Sequence, residues 1–147
     1  MFKEALIEVY ERDLNKLKDE INLYSDEEKL WLVKNEISNS AGNLCQHLLG
    51  NLNHFIGALL GNSGYERDRP SEFSAKNATR ADLMNNIEKT IDVVKNSLNK
   101  LTEADFEKDF PVSKGEREVK IGFMLLHLLT HFNYHLGQIN YHRRLLS

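Results

Sequence analysis

Residues 62–78 read NSGYERDRPSEFSAKNA. They have no sustained apolar period and mix Gly, Pro, Ser and Asn, which is the composition of a connection. A helix-length run lies on each side. Before it, Leu44, Leu48, Leu52, Phe55 and Leu59 recur at helical intervals and predict a helix over about 38–60, with Gly61 as its C-cap. After it, Thr79 with Asp82 resembles an N-cap, and Leu83, Ile87, Ile91, Val94, Leu98 and Leu101 mark the next helix. A helix of about 22 residues is about 33 Å long. An extended connection of roughly 17 residues reaches about 55 Å. The segment is long enough to travel a whole bundle and leave its two helices pointing the same way, although a slack hairpin loop would look the same. The preferred topology is up-down-down-up, with a long crossover between the second and third helices.

Working outward, Leu6, Tyr10, Leu14, Leu17, Ile21 and Tyr24 advance by fours and threes, giving one buried stripe on a first helix. Ser25 and Glu28 stand at capping-box spacing and predict a short helical turn there. A second connection over about 102–118 includes a turn at TEADF and a loop at FPVSKGERE. The fourth helix is expected from about Val119 to Leu146. Four amphipathic helices in one domain, residues 1–147, predict an all-α four-helix bundle.

Composition narrows the function classes. The chain has 147 residues, 41% apolar and 28% charged, which is ordinary for a soluble globular domain. A net charge of −3 with interleaved signs argues against a nucleic-acid binder. Arg143 and Arg144 close the last helix, where cations complement its dipole. No apolar run is long enough to span a membrane. The charged N-terminus lacks a signal-peptide core. A single cysteine fits a reducing compartment, so the expected location is the cytoplasm.

Residues 125–144, LLHLLTHFNYHLGQINYHRR, hold four of the six histidines. His131 and His135 are one helical turn apart and can address a common ion. Imidazole suits zinc, nickel, iron and copper, and a catalytic site needs about three protein ligands with positions left open. The third ligand must come from another helix. In NLCQHLLGNLNHFIG, His47 flanks the apolar stripe and His54 lies about two turns on. Asn51 falls within that stripe, where its amide needs a partner. Gly50 would let another backbone or a ligand approach closely. The plainer reading of His47 is a hydrogen-bonded histidine of the core or rim. His127 suits a role behind the ligands or on the surface, His142 an exposed position near the helix end, and Gln138 a hydrogen bond to a ligand ring or a substrate.

QHLLGN on the second helix together with HLLTHFNYHLGQINYHRR on the fourth resembles the DinB/YfiT-like superfamily, most nearly a subgroup that also carries a segment like GYERDRPSEF. The resemblance spans Leu6 to the end, and its most specific element is His131-x-x-x-His135-x-Gly137-Gln138. It implies an up-down-down-up four-helix bundle, often dimeric. It also implies one divalent metal ion (zinc, nickel, iron or manganese) held by His47, His131 and His135. Some members of that superfamily are transferases or isomerases using a low-molecular-weight thiol such as bacillithiol or mycothiol. Leu136 replaces an arginine common in relatives, which alters the expected rim of the site.

The remaining candidates have mundane readings beside the chemical ones. Cys45 is expected to fill core. Glu66, Arg67, Asp68, Arg69 and Glu72 are expected to pin the crossover by their own ion pairs, or Arg67 and Arg69 to bind an anionic group at the site mouth. Trp31, Tyr134 and Tyr141 suit packing or an interface. No Walker loop, dinucleotide glycine pattern, nucleophile elbow or CxxC occurs. Two functions follow. The first is a metal-dependent enzyme acting on a small molecule, activating a bound thiol for transfer or isomerisation or a water for hydrolysis. The second is a non-catalytic bundle with a structural metal or none, acting as a homodimer.

Overall fold

The computed structural model describes residues 1–112 and 116–146. Its described residues form an all-helical structure with α1 Phe2–Leu23, α2 Ala41–Leu52, α3 Arg69–Ser74, α4 Arg80–Asn99 and α5 Ile121–Leu146. Short 3-10 turns cover Glu27–Trp31 and Glu103–Glu107. An isolated bridge pairs Asp109 with Lys120 just before α5. Residues 113–115, at the centre of the expected FPVSKGERE loop, lie outside the described residues.

Local chemistry sets the helix starts. Ser40 Oγ accepts the Asn43 N–H and opens α2, and Thr79 with Asp82 forms a complete capping box on α4. The turn after α1 is capped by the Asp26 carboxylate, which accepts from the Glu28 N–H, one residue beyond the expected start at Ser25. Thr102 and Asp105 make a capping box at the TEADF turn.

Two expectations for the end of the second helix need correction. Beyond Leu52 the helix widens into a π-helical turn, Asn53–Ala58, in which the Leu59 N–H donates to His54 O and the Gly61 N–H to Ile56 O. The added residue rotates the stripe, so Ile56 is buried while Leu59 is 38% exposed. The left-handed residue that ends the segment is Asn62, at φ 53°, and not Gly61. Gly61 serves a different purpose: a Cβ there would collide with Ser97 Oγ on α4.

The expected α1 stripe is buried from Leu6 to Tyr24 and packs on α4 and α5, while α2 packs on α3, α4 and α5. Side-chain pairs between α1 and α5 advance together along both helices: Asp13 with Asn133, then Glu20 with Asn140 and Arg143. Those between α1 and α4 run in opposite senses, Glu11 with Lys95 and Lys18 with Glu88. From the π turn and the residues after it to α4 and its C-cap, hydrogen bonds advance together again, Asn53 to Thr90 and Lys100 to Gly61 O.

The connection 62–78 runs back along α2. Arg67 lies over the Phe55 ring, Glu72 reaches His47, and Ala75 O accepts from Asn43 and Gln46. It contains α3, which starts at an Asp68 cap with Pro70 in its first turn. Six residues are too few for an apolar period to show in the sequence.

Candidate metal centre

His47 on α2 and His131 and His135 on α5 come together, one ring nitrogen of each lying within 4.8 Å of the other two. One edge, between His47 Nε2 and His131 Nε2, is 3.2 Å. Tetrahedral zinc with nitrogen ligands would ask for edges of about 3.3 Å. That edge already fits. His47 is buried and its partners half-buried.

The outer nitrogens are already committed. His47 Nδ1–H donates to Glu72 Oε1 at 3.0 Å, and His135 Nδ1–H donates to Gln138 Oε1 at 2.7 Å. A carboxylate or amide oxygen only accepts, so each ring holds its proton on Nδ1 and turns the Nε2 lone pair inward. Phe73 of α3 packs against the His47 ring at 4.7 Å between centroids, fixing its plane. Electrostatics favour the neutral form of His131 and His47. Burial, then the neighbouring His135 and His47, pushes the His131 imidazolium down to about 4. Burial also lowers His47, outweighing the Glu72 carboxylate that opposes it. Three imidazoles that each bring one ring nitrogen to a common point could hold a metal ion.

A family model described as a protein of unknown function (DUF1572) matches residues 2–147. The chain belongs to the DUF1572 family. No curated protein matches it.

In this DUF1572 protein the carboxylate behind His47 escaped the sequence reading. Glu72 is buried and takes both Arg67 Nε (2.9 Å) and Arg67 Nη2 (3.0 Å), forming a chain from guanidinium through carboxylate to imidazole. Gly50 is the signal that could have found it, because a Cβ there would stand 2.5 Å from Glu72 Cδ. The close neighbour at Gly50 is therefore a side chain of the 62–78 connection, and not the backbone or ligand expected there. Arg67 is engaged by Glu72, and Arg69 lies over the Phe73 ring at 5.2 Å.

Asn51 follows His47 by one turn and is buried, and its Oδ1 has no hydrogen-bond partner among the described residues. His54 stands apart with its ring against Phe55. His127 is exposed, its ring stacked on Phe123. The expectation of an exposed His142 is overturned: it is buried, with Nε2–H donating to Leu32 O at 2.8 Å and Nδ1 accepting from Tyr24 O–H at 2.7 Å. The chain segment after α1 folds over the end of α5 and encloses it. Cys45 is fully buried, as expected of core filler. Trp31 packs on Gly42, while Tyr134 and Tyr141 are exposed along α5. Among the described residues no helix is long and apolar enough to cross a membrane.

Proposed function

We propose that this protein binds one divalent metal ion through Nε2 of His47, His131 and His135 and uses it on a small-molecule substrate. The observation that carries this reading is the pair of Nδ1–H donations, to Glu72 and Gln138, which leave two inward lone pairs facing His131. A bound ion would acidify a coordinated thiol or water, supporting a thiol-dependent transferase or isomerase, or a hydrolase. Glu72 holds the His47 ring, with two hydrogen bonds from Arg67 fixing the carboxylate in place. Gln138 does the same for His135. The unpartnered Asn51 Oδ1, one turn from His47, supplies an acceptor for a substrate or water proton at the centre.

The same proposal includes a single-domain, up-down-down-up four-helix bundle of the DinB/YfiT-like superfamily, working in the cytoplasm. It is supported by pairs that advance together from α1 to α5 and from the π turn and the residues after it to α4 and its C-cap. The test is elemental analysis of protein purified without a histidine tag, beside His131→Ala. Near-stoichiometric zinc, nickel, iron or manganese, lost in the variant, is expected. Turnover of a thiol with an electrophile should then vanish in His135→Ala, and equal rates would remove the catalytic part.

A second reading is favoured by the exposed apolar side chains of α5, Phe123, Leu126, Tyr134, Tyr141 and Leu145. On that reading the metal is structural and the helix pairs with a second copy. Chelation would lower the melting temperature of a dimer that has no activity to lose.

A further inference from the structure

Beside the histidines a cleft of about 500 Å³ opens between the segment 36–39 and the outer side of α5, and His135 and Gln138 form part of its wall. Its volume suits a small organic molecule. Ile37, Leu44 and Leu145 supply apolar surface, and Tyr134 and Tyr141 bring two phenol rings. The opposite wall is a defined turn: the Ile37 N–H donates to Lys34 O, and Asn35 takes the left-handed conformation at φ 55°. Glu36 sits in that wall, and its carboxylate pairs with no cation among the described residues. Neither lysine nor arginine lines the cleft. Arg144, outside the lining, lies over the Tyr141 ring at 5.0 Å. His142 also lines it but has both nitrogens engaged, by Tyr24 and Leu32.

We infer that this cleft admits the substrate, a molecule with an aromatic or apolar body that is uncharged or bears a cation facing Glu36. The tyrosine rings offer faces for stacking and for a cation. The lone carboxylate repels an anion and attracts an ammonium group. A polyanionic molecule finds no complementary charge along this route. The assignment of the reacting end to His135 rests on the metal reading, whereas the assignment of the cleft and its charge preference does not.

The test titrates benzyl alcohol, benzylamine and benzoate into isotope-labelled protein and follows backbone amide shifts, with and without cobalt. Saturable shifts are expected at Ile37, Tyr134 and Tyr141, with benzylamine tighter than benzoate by on the order of threefold, the effect of one exposed ion pair. Glu36→Gln, an exposed substitution, should bring benzylamine to the level of benzyl alcohol. Shifts absent from these residues, benzoate binding equally well, or an amine preference that survives Glu36→Gln would each overturn the inference. So would shifts at the same residues on raising protein concentration alone, which would give the cleft to a second copy. Failure of the metal reading shows separately, as a cobalt titration with no ligand-field bands, and leaves the probe shifts to decide the cleft.

Discussion

Glu72 occupies the space that any side chain at position 50 would need: a Cβ on Gly50 would collide with its Oε2. The glycine on α2 and the carboxylate on α3 are therefore one feature. The same carboxylate orients His47.

Gly50→Ala should expel the Glu72 carboxylate and cost about 1–3 kcal/mol through overpacking. Metal affinity should fall with it, by about 10–100-fold, because His47 loses the acceptor on Nδ1. Gly137→Ala is the control, since nothing lies within 4 Å of a Cβ there. Urea unfolding and competitive metal titration of both variants check this. Equal metal affinity in Gly50→Ala and wild type would mean that Glu72 does not support His47.

Removing the carboxylate's charge leaves Arg67 buried without its counterion. The two side chains are 12% and 7% exposed. Glu72→Gln is expected to destabilise the fold by about 3–5 kcal/mol, and adding Arg67→Met should recover much of it. A double-mutant cycle by chemical denaturation gives the coupling.

Gln138 acts on His135 from an exposed position, so its effects should separate from stability. Gln138→Leu should weaken metal binding by about tenfold with almost no change in melting temperature, while Gln138→Glu, a stronger acceptor, should preserve or raise affinity. Matching losses in both variants would show that the hydrogen bond is incidental.

Tyr24→Phe deletes the proton held by His142 Nδ1, leaving a buried acceptor unpaired while Nε2 stays bound to Leu32 O. The expected cost is about 1–3 kcal/mol by thermal or urea unfolding, with metal binding unchanged.

Burial pushes the Cys45 thiol up to about 12, and raises the Tyr10 and Tyr24 phenols as well. A disulfide reagent should miss Cys45 in the native protein and react fully once it is unfolded. The sign for stability follows from linkage. These groups ionise in the unfolded chain near pH 8.5–10, so their contribution is intact below that range and is lost as pH climbs toward the folded values. Melting temperature should hold steady at neutral pH and drop above about pH 9.

Much of the centre was legible because helical spacing is regular. His131 and His135 announce a shared face by their interval, and His47 by its place on the edge of a stripe. Glu72 was not legible, because its six-residue helix is too short to show a period and its partner is distant in the chain. The inward reading of Leu59 assumed an uninterrupted 3.6-residue period, which the π turn at Asn53–Ala58 breaks. His142 looked like a solvated end because the segment that covers it, near Leu32, has no pattern tying it to α5. Gly61 was read as a conformational device and is a steric one. The helices and the histidine meeting were thus readable from sequence, whereas the contacts of Glu72, His142 and Gly61 with distant segments were not.

The centre joins positions 47, 72, 131 and 135, which meet only when α2, α3 and α5 have all docked. Such non-local closure comes late in folding, after its loop entropy has been overcome. Before docking, α5 offers an ion the His131 and His135 pair without the third ligand from α2. Metal uptake would then act as a report of completed assembly, drawing the population toward the native state in proportion to the free ion available.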